Sequence, residues 1–187
     1  MKDELGNRMK GFEVQETARA FMPLLPVYAR IDGRGFSKFT LPADRPFDAS
    51  IHEAMKAATV ALVRSTQASI GYFQSDEISL VWETQGRNEE MFFKGKVQKM
   101  CSVLAGIATA AFMRQLVLDS VWEAKAPGWI DKLPHFDARV LQLPNREEAA
   151  NMFCWREGDA RKNSISMLAR SHFSHKALQL KTGRDIS

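Results

Sequence analysis

Cysteine is scarce in this sequence, and its two copies are poorly placed to share a site. Among 187 residues, only Cys101 and Cys154 are cysteines, and they lie far apart and outside any Cys-x-x-Cys spacing. This pattern argues against a disulfide framework and a zinc site, and it is typical of a reducing compartment. The chain needs neither device, because a domain of this length buries roughly 70% of the surface that its unfolded form exposes.

Long hydrophobic runs are also absent. The most apolar stretch, Met100–Met113, is shorter than the roughly 20 residues of a membrane-spanning helix. The first five residues are mostly charged and lack the pattern of a signal peptide. With 45% hydrophobic and 26% charged residues, the composition is that of a globular chain. We therefore expect a cytoplasmic protein without a membrane partner.

The sequence has no excess of acidic residues. It carries 26 Lys and Arg against 22 Asp and Glu, and its net charge is +4. Residues 151–187 alone hold seven of the basic residues and three of the acidic ones, so the first 150 residues are neutral. A basic end on a neutral body favours a polyanionic partner, most simply nucleic acid. A solvated helix surface would carry the same charge, so the composition leaves both interpretations open.

The first half of the chain has the periodicities of strands and helices in alternation. Residues 27–32 alternate between apolar and polar types and predict a strand. The capping box Ser50-x-x-Glu53 predicts a helix that starts near residue 50. Two short runs, 70–74 and 77–82, predict a hairpin with its turn at Ser75-Asp76.

The second half repeats the pattern of helix and strand. Apolar residues at helical spacing predict a long helix, whose buried face we assign to Phe93, Val97, Met100, Leu104, Ile107 and Ala111. Residues 136–143 predict another strand, and the capping box Asn145-x-x-Glu148 predicts a final helix that extends to Phe173. The order β-α-β-β-α-β, then helices, predicts an α+β ferredoxin-like fold: an antiparallel sheet with helices on one face.

That topology predicts a cluster of carboxylates at one edge of the sheet. Asp32 ends the first strand, and Asp76 and Glu77 lie at the tip of the hairpin. The three groups meet there because the third strand runs back beside the first. Such a cluster is costly without cations, and its oxygen ligands suit one or two Mg²⁺ ions bound with substrate phosphates. Ser-Asp-Glu is also ordinary turn chemistry, so the motif alone does not decide.

Groups that suit phosphate surround this cluster. Gly33 and Gly35 bracket Arg34, and the missing Cβ atoms let backbone N–H groups approach a ligand. Further basic residues are predicted nearby: Arg30, Lys96, Lys99 and Arg139. Each feature alone also has a structural interpretation, because Asp-Gly-Arg-Gly is a good turn and the two lysines are typical of a solvated helix face.

Several motifs together resemble those of a known enzyme family. Residues 30–39, Arg-Ile-Asp-Gly-Arg-Gly-Phe-Ser-Lys-Phe, resemble the R-x-D-G-R-x-F-x-x-F signature of the tRNA(His) guanylyltransferase family, and Gln74–Ile78 resembles its acidic motif. Phe136–Arg139 and Trp155-Arg156 with Asp159 are similar to later landmarks, so the resemblance covers nearly the whole chain. Three segments are similar to the bacterial and archaeal tRNA(His) guanylyltransferase-like branch: Val97–Ala105, Asn163–Ser166 and Phe173–Leu178. Arg161-Lys-Asn-Ser164 stands where the eukaryotic pattern has His-Ile-Asn-Asn, which argues against a specific assignment to histidine tRNA.

The resemblance implies a polymerase-palm-like catalytic domain, residues 1–144, that adds nucleotides in the 3′–5′ direction. ATP or GTP first activates the 5′-monophosphate of a tRNA, and the 3′-hydroxyl of an incoming nucleoside triphosphate then attacks the activated end. In the repair branch, the opposite strand of the acceptor stem templates the addition. Residues 145–187 are expected to form a basic helical C-terminal region packed on the palm. The family also implies a homotetramer, and its members usually extend well beyond this C-terminus.

The resemblance further implies roles for individual residues. It assigns catalysis to Asp32, Asp76 and Glu77, and two Mg²⁺ ions to Asp32, the Gly33 carbonyl and Asp76. It assigns nucleotide contacts to Asp32, Gly33, Arg34, Gly35, Phe36, Ser37, Ser75 and Asp76, and triphosphate contacts to Arg30, Lys96, Lys99 and Arg139. It assigns activation to Arg45, and tRNA contacts to Arg161, Lys162 and Asn163. Lys96 stands where family members usually carry Arg, so a bidentate phosphate contact is lost there.

Two other functions fit parts of this pattern. A nucleotide cyclase on the same palm also needs paired carboxylates, two Mg²⁺ ions and a triphosphate, but no RNA, and the basic residues 151–187 argue mildly against it. A non-catalytic RNA-binding module would need exposed aromatic residues in a base-stacking pattern, which Tyr72, Phe73 and Trp82 do not form. The acidic edge of such a module would also repel phosphate unless a metal ion were bound.

Overall fold

Four strands form one antiparallel sheet in the order β2-β3-β1-β4. The computed structural model describes residues 3–83 and 90–173, and its strands are β1 (Val27–Arg34), β2 (Ile70–Gln74), β3 (Glu77–Trp82) and β4 (His135–Gln142). The central strand β1 pairs with both β3 and β4. The predicted order of elements and the predicted ferredoxin-like sheet are confirmed.

Helices connect these strands and extend beyond them. In the described ranges they are α1 (Glu4–Thr17), α2 (Phe36–Phe39), α3 (Ala49–Thr66), α4 (Val97–Val117), α5 (Ser120–Lys125) and α6 (Arg146–His172), with single 3₁₀ turns at Phe92–Gly95 and Trp129–Lys132. The predicted cap of the last helix is confirmed, because the Glu148 amide donates to Asn145 Oδ1 at 2.8 Å. The part of the predicted C-terminal region at residues 174–187 lies outside the described residues.

The two faces of the sheet have different coverings. On one face, α3 and α4 bury a large apolar core in which Met55, Leu62, Met100 and Leu104 have no exposed surface. On the other face, the residues that alternate with that core form a smaller cluster with α6. Its rings meet where Tyr28 and Phe153 lie edge to face, with centroids 5.9 Å apart. The helices predicted on one face are thus α3 and α4, and α6 covers part of the opposite face.

The structure confirms the predicted start of α3 near residue 50 but corrects its capping residue, and it corrects the start of the long helix. The cap of α3 is Asp48 and not Ser50, because Asp48 has an extended backbone and its Oδ1 accepts a hydrogen bond from the Ile51 amide. Ser50 lies in the first turn of α3 and is buried. The long helix starts at Val97, not near Phe93, because Phe93 and Lys94 have φ near +50° and form a left-handed turn.

The buried ridge of α4 also differs from the predicted one. Its fully buried residues are Met100, Leu104, Ala108, Phe112 and Leu116, so the ridge advances four residues at a time where the prediction alternated steps of three and four. By length and composition alone, α4 could cross a bilayer. In this fold that same apolar ridge packs against α3 and β4, the two elements α4 contacts most, as expected of a core helix.

Candidate active site

The end of β1 and the tip of the β2–β3 hairpin lie side by side, as the topology predicted. The Gly33 amide donates to the Asp76 carbonyl oxygen at 2.9 Å, which fixes the hairpin turn against the end of β1. Asp32 faces Glu77 across one neighbouring strand and Asp137 across the other. Carboxylates from three strands and a turn are therefore gathered around one position.

Burial and mutual repulsion disfavour the charged forms of two of these carboxyls. The pKa of Asp32 is raised, first by burial and then by the charges of Asp76, Glu77 and Asp137, while Arg30 opposes the rise. The pKa of Asp76 is also raised, chiefly by burial, with a smaller contribution from Glu77. A bound cation would relieve both effects, so Asp32 and Asp76 have the chemistry of cation ligands.

Glu77 has a different environment from its two neighbours. Both of its carboxylate oxygens accept hydrogen bonds from Arg156 of α6, at 2.6 and 2.8 Å, and Arg30 Nε lies 3.9 Å from Glu77 Oε2. Among the described residues, no group of three or more His, Cys, Asp or Glu side chains is arranged to hold a metal ion. In the described part of the chain, Asp32 and Asp76 are thus neighbouring carboxylates with no ion pair within 4.0 Å, whereas Glu77 is ion-paired.

The glycine-rich segment at the end of β1 is tightly packed, and the strand continues two residues beyond its predicted end at Asp32. A Cβ atom on Gly33 would lie 2.5 Å from the Phe36 ring, so the close approach of that ring requires glycine. Gly35 has a φ of 69° and caps the short helix α2, a backbone conformation that glycine adopts without strain. Phe36 then enters the core, with its ring 5.1 Å from Phe112 and 5.0 Å from Phe136.

A cavity of about 790 Å³ opens beside Asp76. Four residues assigned to the nucleotide line it, namely Phe36, Ser37, Ser75 and Asp76, together with Arg45 and Asn163. One wall is the loop before α3 and the first turn of α3, and the opposite wall comes from α6. Its volume is within the range of small-molecule sites. The other four residues assigned to the nucleotide do not line the cavity, namely Asp32, Gly33, Arg34 and Gly35 at the end of β1 and just after it.

The four residues assigned to the triphosphate do not all converge. Arg30 and Arg139 are opposite one another in the β1–β4 pair, and Arg139 also lies 3.6 Å from Asp137. Lys96 lies towards the other end of the sheet. Its backbone forms a β-bridge with Ala20, and nearby Met22 forms hydrogen bonds with Gln142 at the far end of β4.

The distance along α4 makes this separation large. Thr109 of α4 accepts a hydrogen bond from the Phe136 amide, and Phe136 is the partner of Gly33. Thirteen residues separate Lys96 from Thr109, which is roughly 20 Å along a helix. Lys99, exposed one turn into α4, has its ammonium 4.7 Å from the centre of the Phe93 ring. Within this chain, Lys96 and Lys99 are therefore not brought to the carboxylates.

Sequence reasoning missed part of the cavity wall. Phe47 and Phe73 add aromatic surface, and Ala160, Ser164 and Met167 of α6 line the cavity beside Asn163. The spacing of Arg156, Ala160, Asn163, Ser164 and Met167 places them on one face of a helix, which was the available signal. Arg161 and Lys162 are exposed and absent from the cavity lining, and Lys162 lies 3.6 Å from Asp159.

The fold and the site define a palm-like α+β domain with two adjoining carboxylates next to a cavity of nucleotide size. Residues 6–144 match the model of the tRNAHis guanylyltransferase family, and the chain belongs to that family.

Solved structures of relatives have the same fold. A bacterial tRNA(His) guanylyltransferase-like protein in complex with ATP is 36% identical, with a TM-score of 0.85, over 98% of this chain and 75% of that chain. A structure of such a bacterial protein in complex with GTP is 34% identical, with a TM-score of 0.80, over 96% and 76% of the two chains.

Curated relatives are longer than this chain. The tRNA(His) guanylyltransferase of Schizosaccharomyces pombe is 28% identical over 162 residues, which are 85% of this chain and 58% of the relative. The uncharacterized protein R259 of Acanthamoeba polyphaga mimivirus is 25% identical over 189 residues, covering 92% and 64%. The chain thus spans less than two thirds of the length of these two relatives.

Proposed function

We propose that this chain is the catalytic core of a 3′–5′ nucleotidyltransferase that repairs the 5′ end of tRNA. It adds G, or nucleotides chosen by a template, after ATP or GTP has activated the 5′-monophosphate. The observation that carries the proposal is the convergence of Asp32 and Asp76 at one edge of the sheet, where Asp76 also lines a cavity of about 790 Å³. Membership of the family and the ATP and GTP bound to bacterial relatives support it.

Two Mg²⁺ ions belong to this proposal. The ligands would be Asp32, Asp76 and the carbonyl of Gly33, and the fit rests on the raised pKa values of the two carboxyls, which burial and repulsion both favour. Oxygen donors of this kind suit Mg²⁺. When bound, the metal supplies Lewis-acid stabilisation of the phosphate charge.

The protein side chains would bind and orient the substrates. Ser37 and Ser75 line the cavity with hydroxyl groups, and Phe47 and Phe73 provide apolar surface for a base. Arg30 and Arg139 flank the carboxylates and would bind phosphate oxygens. Holding the reacting groups in this way removes the entropy cost of bringing them together.

The proposal also covers the roles of the two regions of the chain, the oligomer and the compartment. Residues 1–144 would act as the palm and residues 145–187 as a basic region that binds tRNA. Because Lys96 and Lys99 are remote from the carboxylates of their own chain, their assigned contacts with a triphosphate would depend on a homotetramer. The compartment we propose is the cytoplasm.

Neutralising either carboxylate tests the site. We expect Asp32→Asn and Asp76→Asn each to lower nucleotide addition by about 10²–10³-fold or more, the usual loss on removing one stabiliser of transition-state charge. The assay is extension of 5′-truncated tRNA with ATP, the four nucleoside triphosphates and Mg²⁺, read as product length on a gel. Mg²⁺ should also raise the Tm of the wild-type protein but not of these variants.

The matched control is Asp137→Asn, which removes a third carboxylate near Asp32 whose side chain is 48% exposed. We expect this variant to keep most of the activity. Near-normal extension by folded Asp32→Asn or Asp76→Asn would refute the assignment. Cyclic nucleotide formed from ATP or GTP without RNA would instead favour the cyclase.

A further inference from the structure

Helix α6 is fastened to strand β3 by two arginine–glutamate pairs. Near the start of the helix, Arg146 binds both oxygens of Glu83, which follows β3, at 2.8 Å each. Ten residues later, Arg156 binds both oxygens of Glu77, the first residue of β3. Both pairs are bidentate. Arg146 precedes Arg156 on α6, whereas its partner Glu83 follows Glu77 in the chain, so helix and strand run in opposite directions past each other.

The two pairs differ greatly in burial. The side chains of Arg146 and Glu83 are 70% and 26% exposed, so their pair is largely solvated and contributes little to stability. Those of Arg156 and Glu77 are 10% and 8% exposed. Breaking a buried pair leaves an uncompensated charge and is strongly destabilising. Arg156 also donates to Asp159 at 2.8 Å, which holds the guanidinium plane in place.

On the strand side, the buried pair acts on the residue next to a proposed metal ligand. Glu77 directly follows Asp76, and the Asp76 carbonyl accepts the hydrogen bond from Gly33. Arg156 is therefore ion-paired with the residue that adjoins Asp76 at the hairpin tip. Any shift of Glu77 would move Asp76 relative to the end of β1.

On the helix side, the same pair fixes a wall of the cavity. Ala160, Asn163, Ser164 and Met167 follow Arg156 on one helix face and line the cavity. Among the described residues, and apart from the caps at its two ends, every hydrogen bond and ion pair between α6 and the rest of the chain is made by Arg146 or Arg156. The cavity-lining turns therefore extend beyond the last polar attachment of the helix.

We propose that Arg156 is a positioning residue that sets the α6 wall of the cavity against Asp76, and that Glu77 holds it there instead of ligating metal. This inference rests on the proposed function, in which the cavity takes a nucleoside triphosphate. It assigns to the Arg156–Glu77 pair a role in nucleotide affinity and not in the chemical step.

A double-mutant cycle tests the pair. The variants are Arg156→Met, Glu77→Gln and the double variant, with Arg146→Met as the matched control on the same helix. ATP binding with Mg²⁺ is measured by titration calorimetry, KM and kcat in the extension assay, and folding by circular dichroism. We expect each single variant to weaken ATP binding about tenfold, a coupling within the range found for contacting residues, and the double variant to be no weaker than either.

The kinetic pattern separates a positioning role from a metal ligand. KM should rise more than kcat falls, Arg156→Lys should restore part of the affinity, and Arg146→Met should match the wild type. If Glu77 ligates metal, Glu77→Gln alone will lose the rise of Tm with Mg²⁺ while Arg156→Met keeps it, and the two losses will add in the double variant. That result, or unchanged ATP affinity in both single variants, would overturn the inference.

A second measurement does not depend on catalysis. A cysteine introduced by Ser164→Cys is labelled with a maleimide, and the rate at that position is read by peptide mass spectrometry. Adding Arg156→Met should raise this rate severalfold, whereas adding Arg146→Met should not. Equal rates in all three backgrounds would refute the positioning role even if no variant is stable enough for calorimetry. Failure of the wild-type protein to bind ATP or GTP would refute the proposed function but not this structural role.

Discussion

The Asp48 carboxylate accepts hydrogen bonds from three groups: the amides of Asp44 and Ile51 and the ammonium of Lys125. Its side chain is 2% exposed. Burial alone would raise the pKa of Asp48, but the three hydrogen bonds outweigh burial and hold the pKa below its usual range. One side chain therefore caps α3, anchors the loop before it and binds α5.

Asp48→Asn should remove a pH-dependent part of the stability. A pKa that is lower in the folded state stabilises the protein above the ordinary aspartate pKa, and this contribution is lost as pH falls through the lower value. Near pH 7 we expect a loss of about 1.5–3 kcal/mol, typical of a hydrogen bond to a charged group, or roughly 3–12 °C in Tm.

The measurement is the Tm of wild type and variant from pH 7 to pH 3. The difference should shrink below about pH 4, where the unfolded chain begins to bind a proton at this carboxyl while the folded protein, with its lower pKa, does so only at lower pH. The control is Asp44→Asn, which removes the second partner of Lys125 at a side chain that is 67% exposed and should change Tm little. A difference that stays constant over this range would contradict the ionic contribution.

Asp48 also shows why residue-level prediction from sequence stops where it does. Ser50-x-x-Glu53 and Asp48 both have the local features of a helix start, and the sequence pattern favoured the first. The choice depends on Lys125, which lies 77 positions further along the chain. The proximity of Asp32 and Asp76 was easier to predict, since both lie at strand ends that the periodicity of two already indicates.

At the scale of elements, the cap and the length of α6 were predicted well, but its packing against the sheet was not. Its cap at Asn145 and its extent came from local signals, and both agree with the structure. Its position over the sheet did not follow from those signals, because the α6 sequence is too polar to show a clear apolar stripe. The burial of Arg156 against Glu77 is a tertiary contact 79 residues apart.

The exposed basic residues of α6 predict a salt-dependent contact with RNA. Reversing the charges of Arg161 and Lys162 to Glu should weaken tRNA binding and lower the slope of log K against log salt by about 1.4–1.8, since each lost phosphate contact removes about 0.7–0.9. The affinity for a free nucleoside triphosphate should not change. The measurement is a set of tRNA titrations at several salt concentrations.

The matched control makes the same change of charge elsewhere. Lys56 and Arg64 are exposed on α3, and their reversal to Glu should leave the slope nearly unchanged. Equal effects of the two double variants would mean that net charge alone is responsible. An unchanged slope in both double variants would mean that Arg161 and Lys162 are solvated surface residues without contacts to tRNA phosphates.

At the scale of the whole molecule, the fold was predictable because local order, strand pairing and turn chemistry agreed. The assembly of the site was less so. Arg30 and Arg139 are neighbours because strand register places them opposite one another, whereas the position of Lys96 depends on how far α4 extends along the sheet. A motif that names residues does not give the path of the chain between them.

The substrate preference of the whole enzyme is the last prediction. Arg161-Lys-Asn-Ser164 replaces the eukaryotic pattern, so we expect the acceptor-stem end and not the anticodon to select the tRNA. The template strand would then choose the incoming base, because a misplacement of about 1 Å in the attacking hydroxyl can cost on the order of 10²-fold in rate. 5′-truncated tRNAs of several identities should be extended until the stem is paired.

The deciding comparison is kcat/KM for a shortened non-histidine tRNA and for full-length tRNA(His). Templated repair predicts the higher value for the shortened substrate. A strong preference for untemplated G addition to tRNA(His) would establish the histidine-specific activity instead.

The packing of Phe36 has a consequence for how a ligand can enter. Its ring packs beneath Gly33 and against the rings of Phe112 and Phe136, so the end of β1 lies directly on the interior of the protein and cannot move without disturbing it. The facing helix runs on past its last anchor. The side of the cavity formed by Phe36 is therefore held by the core, so a ligand must fit its shape there, whereas in the described residues the α6 turns on the other side have no polar attachment to the sheet beyond Arg156.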